Sequence, residues 1–248
     1  LARGGGDLSV YFLGGLPGVA EAAAEAARRR WGTRVAGARH GYFDHDGDGI
    51  YGEPTDGPGG GEVDLQAEVY VGRAPVDSEA ELSGFVRKTL AYRSTPDVYL
   101  REALMVGENL GWDAPWGGDR KDDVKEGGTI YGYTTVGFED SDYRAFFHTE
   151  TLYDREGTWP ASELTDTLHE GVHVINHLGH ASTTYMMKLY NNDVDTLTNE
   201  RYFIIYSQGC YAGAFDNRSS YGGYYQSDSI SEHFVTGEHG AVAVLSNS

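Results

Sequence analysis

Four short runs of almost entirely apolar residues place the tightest constraint on the fold of this chain. They cover residues 103–107, 172–176, 202–207 and 241–245. Continuous apolar runs of this length are typical of strands buried on both faces, as in a parallel sheet covered by helices. The last three runs are joined by connections of 25 and 33 residues, which suit right-handed crossovers and are too long for hairpins. The sequence therefore predicts an α/β fold with a mostly parallel sheet.

Three chemically active side chains follow three of the predicted strands. Glu108, His180 and Cys210 each come directly after a glycine. In an open parallel sheet the working residues lie at the carboxyl ends of neighbouring strands, which are about 4.8 Å apart. A cysteine becomes a nucleophile when a nearby imidazole helps to form the thiolate, and the backbone N–H groups of Ala181 and Cys210 are suited to stabilise an oxyanion. The alternative for this single cysteine is a buried structural thiol.

The residues before the first of these strands predict a smaller α/β subdomain. An apolar run, LSVYFLGGL, is followed by the Ala-rich segment GVAEAAAEAARRRWG, which has arginines in its last turn and glycine beyond it, as at the end of a helix. Ser78 and Glu81 have the spacing of a capping box ahead of a second helical pattern. We expect an N-terminal subdomain over residues 1–96 and a catalytic subdomain over residues 97–248.

A zinc site is the main alternative interpretation of the histidines. His169, Glu170 and His173 form an H-E-x-x-H motif, which binds zinc only where a helix places both histidines on one face. Gly171 is a natural helix stop, and the residues after it are β-branched and favour a strand. We therefore expect the two histidines to lie in different elements, and a zinc-dependent hydrolase remains the second hypothesis.

An acidic loop in the first part of the chain predicts a structural calcium ion. Asp44, Asp46 and Asp48 occupy alternate positions ahead of a glycine, and Glu53 or Asp56 follows to close the loop. Calcium prefers several hard oxygen ligands that converge from a tightly turned loop. The twelfth position is threonine, so the loop is not an EF-hand. A solvated acidic turn is the alternative, and no catalytic metal is expected.

The charge of the chain excludes whole classes of partner. Its 38 acidic and 19 basic residues give a formal net charge of −19, which repels nucleic acids and anionic lipid surfaces. No apolar run is long enough to cross a membrane. An acidic composition together with a calcium-type loop is typical of secreted or cell-surface proteins. The chain begins at Leu1, which fits either removal of a signal peptide or pro-segment or a sequence that simply begins at this point.

Four longer segments of the sequence resemble the gingipain-like cysteine peptidases. They are YVGRAPVDSEAELSGFVRKTLAY, VINHLGHAS, YFIIYSQGCYAGAFDN and HGAVAVLSNS, so the resemblance covers most of the chain from about residue 65. It implies a caspase-like three-layer α/β/α sandwich from a bacterial source. By this resemblance His180 is the general base and acid, Cys210 is the nucleophile, and Glu108 orients the histidine in an endopeptidase that acts on protein or peptide substrates.

The resemblance also bears on substrate choice. Asp119 lies in a region that lines the pocket for the residue before the scissile bond in relatives, where an acid would select arginine or lysine. A solvated charged loop is the alternative for this acidic segment. Two departures are visible, since Ala181 stands where relatives more often have glycine and the chain stops at Ser248 where relatives continue. We expect a cleaved C-terminal segment of the same precursor to complete the pocket. A catalytically inactive, calcium-stabilised binding module is the third hypothesis.

Overall fold

The computed structural model describes most of the second half of the chain and parts of the first. The described residues are 10–14, 25, 28, 29, 35–40, 72–94, 98–111, 115–130, 132–139, 147–216 and 228–248. Two compact units are present, residues 1–71 and residues 72–248. In the first unit, strand β1 (Val10–Gly14) pairs in parallel with strand β2 (Val35–His40). The division at residue 96 that the sequence suggested stays a prediction.

A five-stranded parallel sheet forms the centre of the second unit. Its strands, in spatial order, are β12 (Ala241–Leu245), β11 (Phe203–Ser207), β7 (Val174–Leu178), β3 (Glu102–Gly107) and β6 (His148–Tyr153). Every neighbouring pair is parallel. Each of the four apolar runs is therefore confirmed as a strand. The smaller strands are β4 (Gly127–Ile130), β5 (Tyr133–Val136), β8 (Ala181–Ser182), β9 (Tyr185–Met186) and β10 (Leu189–Tyr190).

Helices cover both faces of this sheet. They are α1 (Glu79–Arg93), a 3₁₀ turn (Val98–Arg101), α2 (Gly117–Glu126), α3 (Ala161–Glu170), α4 (Asn191–Asp195) and α5 (Ile230–Thr236). Leu164 and Leu168 of α3 are fully buried in one core with Ile175 of β7. Lys121 of α2 instead reaches Asn176, whose side chain leaves the opposite face of the strand because successive residues alternate. The result is the three-layer α/β/α architecture predicted from the sequence.

Helix α1 is anchored to the rest of the second unit by a buried lysine. Its predicted capping box is confirmed, since the Ser78 side chain accepts from the N–H of Glu81 and the Glu81 carboxylate accepts from the N–H of Ser78. Lys88 is only 1% exposed, and its ammonium donates to three backbone carbonyls between residues 234 and 241.

Within the described part of the chain, no helix is both long and apolar enough to cross a membrane.

Candidate active site

The carboxyl ends of β3, β7 and β11 lie side by side, and the three predicted functional residues follow them. Glu108 comes directly after β3, and its N–H donates to the carbonyl of Leu178 at the end of β7 at 3.0 Å. His180 follows β7 and Cys210 follows β11; both side chains are exposed, whereas Glu108 is 3% exposed. The parallel order β11-β7-β3 thus brings the acid, the imidazole and the thiol to one edge of the sheet.

The imidazole of His180 is held by a backbone carbonyl. Its Nε2 lies 2.9 Å from the carbonyl oxygen of Asn109, and because a carbonyl can only accept, Nε2 carries the proton. The N–H of Asn109 in turn donates to the Asp154 carboxylate at 3.0 Å, and that carboxylate is paired with Lys188 at 2.6 Å. In a neutral imidazole, Nδ1 is then the unprotonated nitrogen.

Glu108 holds the histidine loop through the main chain. One carboxylate oxygen accepts from the N–H of His180 at 3.2 Å, and the other pairs with the ring of His177 at 3.1 Å. The sequence suggested that Glu108 orients the His180 imidazole. Among the described residues the ring of His180 contacts Asn109 instead. The carboxylate therefore fixes the position of the loop, and the carbonyl fixes the ring.

The cysteine loop lies against the histidine loop. A Cβ atom placed on Gly209 would stand 2.5 Å from the Cβ of Ala181, so only glycine permits this close approach. Asn247, which follows β12, donates to the carbonyl of Gly209 at 2.9 Å. Tyr211 has a φ of 55°, a left-handed conformation that is rare for an aromatic residue and occurs in tight turns and at functional sites. Cys210 thus lies at the tip of a sharp turn.

The N–H of Cys210 donates no hydrogen bond to any residue in the part of the chain that the structure describes. The second predicted oxyanion donor is the N–H of Ala181. It lies close to the cysteine loop, because a Cβ placed on Gly209 would be 3.4 Å from the backbone nitrogen of Ala181. The two predicted donors therefore lie on adjacent loops.

A buried lysine supports the cysteine loop from the other face of the sheet. Lys121 of α2 is 1% exposed and donates to the side-chain oxygens of Asn176 and Gln208, both at 2.7 Å. Burial lowers the pKa of Lys121 to about 8. Gln208 is two residues from Cys210, so this contact connects β7 to the segment that leads to the nucleophile.

Asp119 lies in the first turn of α2 and is engaged by a cation of the same chain. Arg155 donates to Asp119 at 2.6 Å and lies 2.5 Å from Asp122, and its guanidinium stacks on the ring of Tyr153 at 4.7 Å. The carboxylates of Asp119 and Asp122 raise the pKa of Arg155 above its usual value. The Asp119 side chain remains 47% exposed, so it is accessible to a competing cation.

The histidines of the zinc motif lie in separate environments. The ring of His169 pairs with Thr198 at 3.1 Å, whereas the ring of His173 contacts the carbonyl of Leu100 at 2.8 Å and the hydroxyl of Tyr92 at 2.6 Å. Burial lowers the pKa of His173. No group of three or more His, Cys, Asp or Glu side chains among the described residues is arranged to hold a metal. The predicted calcium ligands Asp44, Asp46, Asp48 and Glu53 lie outside the described residues.

Several residues that shape the site carry no recognisable sequence signal. Asn109 contacts the imidazole through its backbone carbonyl, which any residue could supply. Asp154 does not contact the imidazole itself but accepts from the N–H of Asn109. Ser207 and His177 look like ordinary members of buried strands. The available signal was the pair of polar residues Asn176 and His177 within the otherwise apolar sequence VINHL of β7.

Comparison with known proteins agrees with this geometry. The model of Peptidase family C25 matches residues 27–248, which is most of the chain and includes all three strand ends. No curated protein and no solved structure matches the chain. The family is one of cysteine peptidases with a caspase-like fold, and the described sheet has that architecture. The chain therefore belongs to Peptidase family C25, the gingipain family, and is a cysteine-type peptidase.

Proposed function

We propose that the chain is an endopeptidase in which Cys210 is the nucleophile and His180 is the general base and acid. The observation that carries this proposal is the hydrogen bond from His180 Nε2 to the carbonyl of Asn109. It fixes the tautomer in which Nδ1 is free to take a proton, on a loop that touches the cysteine loop at Ala181 and Gly209. Thiol peptidases require a positioned base near an exposed thiol, and the contact between the two loops supports that arrangement here.

The reaction follows from these roles. His180 Nδ1 takes the proton of the Cys210 thiol, and the thiolate sulfur attacks the substrate carbonyl carbon to form a tetrahedral oxyanion. This intermediate collapses as the C–N bond breaks, the imidazolium gives its proton to the leaving amine, and a thioester remains. Water then attacks the thioester, His180 takes a proton from it, and the acid product leaves as the thiol is restored. The N–H groups of Cys210 and Ala181 stabilise both oxyanions.

Alkylation tests the nucleophile directly. Cys210 is the only cysteine and is exposed, so iodoacetamide should add one carbamidomethyl group per chain, measured by intact mass, while peptide hydrolysis falls in proportion. The Cys210→Ala chain should take up no label. A fully alkylated chain that retains activity would exclude the thiol mechanism. A zinc-selective chelator should leave hydrolysis unchanged, and loss of activity on chelation would favour the zinc hypothesis.

We further propose that Asp119 selects a basic residue before the scissile bond. The substrate cation would compete with Arg155, which keeps its contacts with Asp122 and Glu156 when Asp119 is released. In a series of fluorogenic peptides, Asp119→Ala should lower kcat/KM for arginine and lysine substrates by about tenfold to a hundredfold, the value of a charge-assisted hydrogen bond. The alanine substrate should be unaffected.

Asp122→Ala is the matched control for this test, because Asp122 contacts the same guanidinium from one helical turn further along α2. It should leave the preference for basic residues unchanged. Equal effects of the two substitutions would mean that Asp119 acts only through Arg155. A cleaved C-terminal segment of the same precursor that completes this pocket stays a prediction.

We also propose that Asp44, Asp46, Asp48 and Glu53 bind a structural calcium ion and that the enzyme is secreted or held at the bacterial cell surface. The alternate spacing of the aspartates supports the ion, and the net charge of −19 together with this calcium-type loop supports the location. Calcium at 100 times its dissociation constant should stabilise the fold by about 2.7 kcal/mol, measured as a rise in Tm. Asp46→Asn should remove most of this rise. Asp166→Asn, an exposed change on α3, should not alter it.

A further inference from the structure

A buried histidine lies beneath the proposed active site. His177 is in β7, three residues before His180, and its side chain is 0% exposed. Its two ring nitrogens contact Glu108 at 3.1 Å and the hydroxyl of Ser207 at 2.8 Å. A buried imidazole is costly unless both nitrogens are paired, and here the partners come from the neighbouring strands on either side. The ring thus bridges β3 and β11 through β7.

The directions of the hydrogen bonds through this ring follow from the chemistry of the partners. An ionised carboxylate only accepts, so His177 Nε2–H donates to Glu108, and in the neutral ring Nδ1 accepts from Ser207 O–H. The Ser207 oxygen accepts from the N–H of Gly209 at 3.1 Å, and the second Glu108 oxygen accepts from the N–H of His180 at 3.2 Å. Each donor and acceptor in this chain of four bonds is used once.

The two ends of the hydrogen-bond chain are the two loops that carry the proposed catalytic residues. One end is the N–H of His180, and the other is the N–H of Gly209, immediately before Cys210. A Cβ atom on Gly179 would lie 2.5 Å from both the Glu108 carboxyl carbon and His177 Nε2. The Glu108–His177 pair is therefore packed directly against the backbone that leads to His180.

We propose that His177 is a positioning residue for the hydrolytic site: with Glu108 and Ser207, it holds the loop of His180 in register with the loop of Cys210. This inference rests on the proposed roles of those two residues. Its effect on catalysis follows from geometry, because a misplacement of about 1 Å between reacting groups can cost on the order of a hundredfold in rate. None of the three residues contacts the reacting atoms in this arrangement.

A second bridge keeps the strands together when the first is broken. Lys121 connects Asn176 to Gln208 on the opposite face of β7, and the β7–β11 backbone pairing continues to Ser207. Substitutions in the His177 chain should therefore leave the sheet folded and should change the placement of the loops. This separation allows a positioning role to be distinguished from a structural one.

Three variants test the proposal. Ser207→Ala removes the link to Gly209 with little change of packing, and His177→Leu removes both ring bonds. His177→Gln is the conservative variant, since its amide can donate to Glu108 and accept from Ser207. We expect kcat to fall roughly tenfold to a hundredfold in Ser207→Ala and about a hundredfold in His177→Leu, with KM within about twofold of wild type in both. His177→Gln should recover most of the loss.

The outcomes separate this inference from the proposed function. Wild-type kcat in Ser207→Ala, or a change confined to Tm or to KM, overturns the positioning role while the Cys210 mechanism stands. Equal kcat in His177→Gln and His177→Leu also overturns it, because the hydrogen bonds would then be irrelevant. Peptide hydrolysis that persists at the wild-type level in the Cys210→Ala chain overturns both proposals. The Ser207→Ala result decides the matter if His177→Leu fails to fold.

Discussion

Replacing Cys210 with alanine, replacing His180 with alanine, and making both changes together should lower kcat/KM by nearly the same factor, about 10⁴-fold or more. In the proposed mechanism the two side chains act as one unit, because the thiol is a weak nucleophile without the base and the base has no proton to take without the thiol. Once either is removed, removal of the other costs little. The activity that remains should come from substrate binding and the oxyanion donors.

The measurement is a double-mutant cycle on one fluorogenic peptide, with near-ultraviolet circular dichroism to verify the fold. His169→Ala is the matched control, since His169 is exposed and its ring contacts only Thr198 among the described residues. It should retain full activity, and it would not if the zinc interpretation were correct. Losses that add across the cycle would show that the two residues act independently, contrary to the proposed mechanism.

The strands that the sequence predicted are those that lie in the interior of the sheet or carry uniformly apolar residues. Strand β6 was missed because it is an edge strand, and its side chains HTETLY alternate between exposed and half-buried before ending in the core. The run at 172–176 was placed two residues early, since the strand begins at Val174 and extends through His177 to Leu178. Polar side chains inside a buried strand break the apolar signal, and here Asn176 and His177 form hydrogen bonds with Lys121 and Glu108.

Part of the candidate site was predictable for a topological reason. A parallel sheet brings the carboxyl ends of adjacent strands together, so Glu108, His180 and Cys210 could be grouped from sequence. Their hydrogen-bond partners could not. The carbonyl of Asn109 has no side-chain signature, and the pairing of Glu108 with His177 depends on which rotamers fit between three strands. The sequence therefore predicts that the three residues lie at one edge of the sheet, but it does not predict the hydrogen bonds that hold them in place.

The contact between the two loops leads to the second prediction of large effect. Gly209→Ala should lower kcat/KM by about a hundredfold, because the new methyl group would stand 2.5 Å from the Cβ of Ala181. Real Cβ atoms do not approach so closely, and neither methyl group can rotate away. The loops would have to separate, which would move Cys210 from His180 and spread the two proposed oxyanion donors.

A second substitution, Ala181→Gly, should restore the activity lost in Gly209→Ala. Ala181→Gly removes the methyl group against which the new side chain would collide, so the double variant Gly209→Ala/Ala181→Gly should recover most of the lost kcat/KM. The remaining neighbours of the added Cβ, Ser207 Oγ at 3.3 Å and the N–H of Ala181 at 3.4 Å, need shifts of only a few tenths of an ångström. Ala181→Gly alone should leave kcat/KM within a few fold of wild type, because it removes only a methyl group and keeps the backbone N–H. If the double variant is as impaired as Gly209→Ala, the loss arises from the backbone of Gly209 itself, and the proposed contact between the loops does not control the reaction.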